Sequence, residues 1–342
     1  MEITADYERA VLVFDRLRTL LHERAFPYSR MRLPQEMVPR EITKDPLALS
    51  RFFFFVCLHM RGPIKSSFAM QAHIGLWHSH PELYDPHEAS HTAEETLNPL
   101  LAEAMLPRDK GKIARFWVEN ARRLHKRWGG DPRTIFETRC VPEELYTRIQ
   151  NDGRGNGFIG MQKKMASMLA YYLESTGLLS PIPLPPPIDF HWMRMAFAHG
   201  ILSVPPGKNI RYERASPLVR EITARYMKET GAGLSEMSDI VWPFSEILCS
   251  RAPGNISKNR IRTANGTGVR GGEPLALGNW HDPVLVGRYQ RTCGSCPVEA
   301  TCALNVRNGP YNERGIFILE KREKPPLLFS SLPVLRKPDT GR

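Results

Sequence analysis

The sequence predicts an all-α protein, and three observations carry that prediction. Apolar residues recur at helical spacing in one segment after another. No stretch alternates apolar and polar residues for long enough to build a sheet. Glycine and proline fall where helices should stop and start, as in Gly129-Gly130-Asp131-Pro132, a C-terminal glycine followed by a first-turn proline.

In chain order, Ala10, Val11, Val13, Phe14, Leu17, Leu20 and Leu21 give residues 5–25 the apolar face of an amphipathic helix. Pro27, Pro34 and Pro39 make the next stretch a loop. Leu47–Met60 is strongly apolar and suits a buried helix, with Phe52–Phe55 as core rather than as a binding platform. Residues 73–91 hold five histidines: His73, His78, His80, His87 and His91. Pro81, Pro86 and the acidic residues among them point to a polar loop that touches substrate, and no zinc spacing fits cleanly.

Helical patterns return at 92–106 and 111–127. In the second, Ile113, Phe116, Trp117, Ala121 and Leu124 face one way and lysines and arginines the other. Further helices are expected at 161–176, 190–202, 216–230 and 235–249, with the proline-rich break Pro181–Pro187 between the first two. Residues 250–291 have a loop composition, with Arg251, Lys258, Arg260, Arg262, Arg270, Arg288 and Arg291 against Glu273 and Asp282. The prolines beyond residue 322 predict an extended tail.

Composition narrows the function classes. With 47 basic and 36 acidic residues the net charge is +11, which favours a polyanionic partner, since each cation that neutralises a phosphate also releases counterions. No apolar run is long enough to cross a bilayer, and Glu2, Asp6 and Glu8 do not suit a signal peptide. The expectation is a soluble monomer in the cytoplasm (the host cytoplasm if the protein is viral), without a membrane partner. Six cysteines are too few for a disulfide scaffold. Cys57 and Cys140 stand alone and are expected in the core.

The other four cysteines carry the strongest signal. Cys293-Gly-Ser-Cys296-Pro-Val-Glu-Ala-Thr-Cys302 needs one more thiolate for a tetrahedral set, and Cys249, at the end of an expected helix, can supply it. Four thiolates suit either Zn²⁺ or an iron–sulfur cluster, and spacing does not decide between them. The phrase Trp242-Pro-Phe-Ser-Glu-Ile-Leu-Cys249 followed by this run resembles the C-terminus of the endonuclease III group of helix–hairpin–helix DNA glycosylases, which ends in C-x6-C-x2-C-x5-C around a [4Fe–4S] cluster. The sequence departs from that pattern in the first gap, expanded here to the basic segment 250–292. The resemblance implies Cys249, Cys293, Cys296 and Cys302 as cluster ligands.

Two more segments follow the same family order. Gly157-Phe-Ile-Gly160-Met-Gln162-Lys163-Lys164 resembles the family's hairpin, in which backbone amides and a helix N-terminus meet a DNA phosphate. The usual second glycine is replaced, by Gln162. A plain helix start with two lysines is the alternative. Ile188-Asp189-Phe-His191-Trp-Met-Arg194 resembles the V-D-x-H-x-x-R segment with the family's essential aspartate, and Asp189 is also a natural N-cap for a helix starting near Phe190. Trp128–Phe136 looks like the family's lead-in to the hairpin. By resemblance, Gly157, Gly160, Gln162, Lys163 and Arg194 would contact DNA, and Asp189 and Lys164 would be catalytic.

The resemblance further implies two helical lobes with DNA and a flipped base between them. The segments would be an N-terminal helix and linker over 1–45, packing on the cluster lobe, a hairpin-bearing lobe over 46–187, the cluster lobe over 188–322, and a tail over 323–342. Two activities fit. A glycosylase would use Asp189 to stabilise an oxocarbenium-like sugar, with Lys164 where bifunctional members carry a Schiff-base lysine. A base-modifying transferase is the second, similar to the bacteriophage amino acid:DNA transferase or α-glutamyl/putrescinyl-thymine pyrophosphorylase group, acting on modified thymine in double-stranded DNA with a small amino acid as co-substrate. The incomplete hairpin, the distinct N-terminal third and the basic insertion favour the transferase. A non-catalytic DNA-binding module is the remaining alternative.

Overall fold

The structure is a computed structural model. It describes residues 3–60, 66–104, 112–136, 141–150, 157–203, 212–248, 276–279, 296–302, 304–308 and 316–321. The described residues are mostly helical. Strand β1 (Thr4–Ala5) leads into α1 (Tyr7–His22), capped by Asp6, whose side chain accepts from the Arg9 amide at 2.9 Å. The chain continues through α2 (Arg40–Thr43), α3 (Pro46–His59), α4 (Ser66–Ser79), α5 (Pro86–His91), α6 (Glu94–Ala104), α7 (Lys112–Trp128), α8 (Pro142–Ile149) and α9 (Lys163–Ser175). After the proline-rich break come α10 (Phe190–Ala198), β2 (Leu202–Ser203), α11 (Tyr212–Thr230) and α12 (Leu234–Ile247). The last described elements are β3 (Ala276–Asn279), β4 (Leu304–Asn308) and β5 (Ile316–Lys321).

Three departures from the sequence reading stand out. First, β3, β5 and β4 pair, in that order, into an antiparallel sheet, so the fold is not wholly helical, and β3 interrupts the segment read as loop. These strands are only four to six residues long. The central one, Ile-Phe-Ile-Leu-Glu-Lys, is paired along both edges and rich in β-formers, a setting in which apolar–polar alternation is not required. Second, the histidine segment 73–91 is not one polar loop: α4 runs through Ser79, a single 3-10 turn spans Pro81–Tyr84, and α5 follows. Both prolines sit at the first position of a helical turn, where a missing N–H costs nothing. Third, α10 stops at Ala198 rather than 202, because Gly200 takes φ +73 and turns the chain into β2.

The described residues fall into two compact units, one from Met1–Met31, Ile188–Ala232 and Glu236–Arg342, the other from Arg32–Pro187 and Gly233–Ser235. In the first, Phe14 of α1 meets Trp192 of α10 edge-on at 5.9 Å and Tyr226 of α11 at 5.1 Å. Met237, Ile240, Val241 and Phe244 of α12 close the same core. Tyr28 Oη donates to the Ile240 carbonyl at 2.6 Å, and β1 pairs antiparallel with β2, so the N-terminal segment is fixed along its whole length.

The second unit is organised by α3. Phe52, Phe53, Phe54 and Phe55 are all fully buried. Successive residues on a helix point about 100° apart, so the four rings reach four directions. Phe52 stacks on Tyr84 at 5.6 Å, Phe53 on Tyr172 of α9 at 4.9 Å and Phe55 on Trp117 of α7 at 4.4 Å, while Phe54 meets Phe158 edge-on at 4.9 Å. A helix apolar on every side must be covered on every side.

Two histidines share this core. His59 and His73 are buried, with rings 5.3 Å apart. Tyr84 Oη donates to the His73 carbonyl at 3.0 Å and accepts from His73 Nδ1 at 2.9 Å, leaving His73 Nε2 and both His59 nitrogens without a hydrogen-bond partner. Burial pushes His59 down to about 4, and burial together with the neighbouring His59 pushes His73 well below the ordinary imidazole value. Unfolded, both titrate near 6.5, so protonation favours the unfolded chain. Stability is complete above about pH 6.5 and is lost as pH falls towards 4, by on the order of 3 kcal/mol for His59. Urea midpoints at pH 7.5 and pH 5.0 should therefore differ, and His59→Leu should remove much of the difference. Equal midpoints for the wild-type chain would contradict neutral buried imidazoles.

Candidate functional site

The hairpin segment runs from α8 through residues 157–162 into α9. Gly157 takes φ +64 and Gly160 φ +82. At Gly157 an added Cβ would stand 1.9 Å from the Gln150 carbonyl oxygen, so only glycine lets the two strands of the turn approach. The turn is closed by the Phe158 amide on the Ile149 carbonyl at 2.9 Å and the Met161 amide on the Phe158 carbonyl at 3.0 Å. Phe158 anchors it in the core against Phe54.

Two residues missed by the sequence reading hold the turn from outside. Asn120, fully buried on α7, donates through Nδ2 to the Ile159 carbonyl at 2.9 Å and accepts the Ile159 amide at 2.6 Å. Both backbone groups at the tip are thereby satisfied by one side chain. Arg123, one turn on, donates to the Gly157 carbonyl at 2.8 Å while Glu119 holds its Nε. The available signal was a lone asparagine on the apolar stripe between Trp117 and Leu124.

Gln162 is the N-cap residue of α9 but makes no capping bond; its Oε1 accepts from Gln150 Nε2 at 3.1 Å. Lys163 and Lys164 follow in the first turn, with no acidic residue there. A phosphate at this helix N-terminus would meet both the positive end of the dipole and the two lysines. Lys163 Nζ lies 5.0 Å from the centre of the Tyr146 ring. The half-buried Lys164 acts on Cys57: burial pushes the Cys57 thiol up, and the lysine charge offsets part of that rise.

Asp189 caps α10. Its Oδ1 accepts the His191 amide at 2.8 Å and the Trp192 amide at 3.4 Å, and the residue is nearly buried. His191, also buried, joins Ser245 Oγ through Nδ1 at 3.0 Å and has Nε2 3.9 Å from Glu246 Oε2. The aspartate turn is thus tied to the last turns of α12. The backbone of Arg194 lies on α10, and its side chain is outside the described residues.

In the same unit, Cys296 is buried and Cys302 half-buried at the two ends of a short loop. The loop is closed by the Glu299 amide on the Cys296 carbonyl at 3.1 Å and the Cys302 amide on the Glu299 carbonyl at 2.9 Å. Arg9 of α1 donates to the His199 carbonyl at 2.9 Å and to the Thr301 carbonyl. Thr301 Oγ1 donates to Val298 O at 2.9 Å and accepts from His199 Nδ1 at 2.9 Å. Two thiols on a loop fixed to a core are a donor set that suits a soft metal or an iron–sulfur cluster. Cys249 and Cys293 lie outside the described residues, as does Cys140.

The structure therefore gathers Gly157, Gly160, Gln162, Lys163 and Lys164 in one unit, and Asp189 with Cys296 and Cys302 in the other. Neither a protein-family model nor a curated protein matches the chain.

The two kinds of glycine constraint are separable by experiment. Gly157→Ala should destabilise the protein by at least about 2 kcal/mol, through a positive φ and a backbone clash. Gly129, at φ +59 with nothing within 4 Å of an added Cβ, should cost only about 1 kcal/mol as alanine. Asn120→Ala should cost about 2–4 kcal/mol, because it strands an amide and a carbonyl. Denaturant midpoints rank the three, and equal losses at Gly157 and Gly129 would refute the close approach.

Proposed function

We propose that this protein is a DNA base-modifying transferase that replaces the phosphate of 5-phosphomethyl-deoxyuridine in DNA with an amino acid. The amine nitrogen attacks the methylene carbon, the carbon–oxygen bond to phosphate breaks, and phosphate departs with the bonding electrons. Asp189 takes the proton released by the amine. The observation that carries this reading is the Asp189 carboxylate itself, nearly buried and held on Oδ1 by two amides. Such a base is oriented before substrate arrives. Gly157, Gly160, Gln162 and Lys163 would hold a DNA phosphate at the N-terminus of α9, with Arg194 as a further contact, and basic side chains would stabilise the departing phosphate.

Cys296 and Cys302, with Cys249 and Cys293, would hold a [4Fe–4S] cluster, or Zn²⁺ in its place. When bound, the group would cross-link the C-terminal loops and so keep the basic segment 250–292 beside DNA. The second reading, a DNA glycosylase with lyase activity, is favoured by Lys164, an amine at the head of α9 in the position of a Schiff-base lysine.

Purified protein incubated with DNA containing 5-phosphomethyluracil and mixed amino acids should yield thymidine carrying an amino acid linked through its nitrogen to the 5-methyl carbon, read by nucleoside mass spectrometry. Asp189→Asn should cut that yield by about 10²–10⁴-fold while DNA affinity stays the same. Free base or abasic sites from damaged DNA, with no thymidine bearing an N-linked amino acid, would assign a glycosylase instead. For the cofactor, a broad absorbance near roughly 400 nm is expected, as for iron–sulfur centres generally, and Cys296→Ser should abolish it. A colourless wild-type protein with zinc bound at the cysteines would overturn the cluster.

A further inference from the structure

Three exposed histidines meet on the surface of the second unit. His87 and His91 are one turn apart on α5, with ring centroids separated by 4.7 Å, and His125, in the last turn of α7, has its ring 5.1 Å from that of His87. A zinc ion bound by imidazole nitrogens at about 2.0–2.1 Å in tetrahedral geometry places neighbouring ring centroids roughly 5 Å apart. Both separations match that value, with His87 as the ring common to the two pairs. The rings are neither stacked nor parallel, with interplanar angles of 49° and 66°.

The ring nitrogens are also sorted. His87 Nδ1 lies 3.0 Å from Glu88 Oε1, and His91 Nδ1 lies 2.8 Å from the His87 carbonyl oxygen and 3.2 Å from Ser90 Oγ. An imidazole that donates Nδ1–H to a carboxylate or carbonyl presents a lone pair at Nε2, the arrangement that orients metal-bound histidines. Among the described residues, Nε2 of neither ring takes part in a hydrogen bond or ion pair.

The scaffold beneath is fixed. Asp85 Oδ1 caps α5 through the His87 amide at 2.8 Å and the Glu88 amide at 3.3 Å. Its Oδ2 accepts from Arg51 Nη1 at 2.6 Å, and Arg51 Nε donates to the Gly130 carbonyl, just past the end of α7, at 2.8 Å. Although burial pushes the Asp85 carboxyl up, the Arg51 guanidinium and the two amides hold it below its ordinary value. One arginine thus sets α5 against the helix end that carries His125.

The geometry points to a surface site for a divalent transition cation of the zinc class, held by His87, His91 and His125 with water in the remaining position. As they stand, no three such groups among the described residues converge on a common point. Closing the site requires the exposed side chains to rotate about χ1 and χ2 into other staggered wells, which exchanges the resting Nδ1 contacts for the metal. The site is separate from the cysteine loop and independent of the DNA-modification reading.

Zinc chloride is the probe, titrated by calorimetry into the full-length protein as purified, with its own cysteine-bound group in place. The wild-type chain should take up one zinc more per chain than His87→Ala/His91→Ala. His125→Gln should weaken that event at least tenfold, and the zinc-induced rise in Tm should be lost in both. All three side chains are exposed, so the zinc-free circular dichroism and Tm of the variants should equal those of the wild type. Equal zinc uptake by wild type and the double variant overturns the site. Loss in the double variant with none in His125→Gln overturns the three-histidine assignment.

Discussion

The second unit depends on one constraint: four consecutive phenylalanines on a single helix cannot all face one neighbour. Because α3 sends Phe52–Phe55 in four directions, α7, α9, the Pro81–Tyr84 turn and the glycine turn at 157–160 must each lie against a different side of it. Full burial of rings this large contributes about 2 kcal/mol each, and their edge-on and offset contacts add direction that aliphatic packing lacks. The candidate DNA-facing turn thereby inherits its position from the core, since Phe158 is both a member of the turn and the partner of Phe54. Asn120 and Arg123 then fix the backbone conformation that Phe158 has located.

The positions of α1, α3, α6, α7, α9, α10, α11 and α12 were legible in the sequence because the apolar period and the terminators agreed, whereas α4, α5 and α8 were not expected. Asp45 and Asp189 cap their helices as short acidic side chains before apolar runs should. The β3–β5–β4 sheet was not legible, since four- and five-residue strands offer too few positions for a period, and the central strand owes its state to its neighbours. The histidine segment was misread for a related reason. Prolines that look like breakers also start helical turns, and the register of His87 with His91 shows only once α5 exists.

Individual site residues were legible by type and order, but their support was not. Gly157 stood out as a glycine, yet the 1.9 Å approach of the Gln150 carbonyl that demands it is a tertiary fact. Asn120 lies thirty-nine positions from the residue it clamps. Arg9, nearly three hundred positions from Thr301, reaches the cysteine loop from the opposite end of the chain. Such pairings leave no local pattern, because their partners are separated by whole helices.

The composition of the first unit has a consequence for biogenesis. Its core joins Phe14 near the start of the chain to Trp192, Tyr226, Phe244 and Val298 far along it, whereas the second unit draws almost all its residues from one continuous stretch. On the ribosome the second unit can complete its contacts while α1 still waits for its partners, and non-local closure of that kind is slow. The loop bearing Cys296 and Cys302 follows the second unit in the chain, and it docks on Arg9, which precedes that unit. Any metal or cluster held there would therefore be acquired after the second unit has formed, together with closure of the first unit's core.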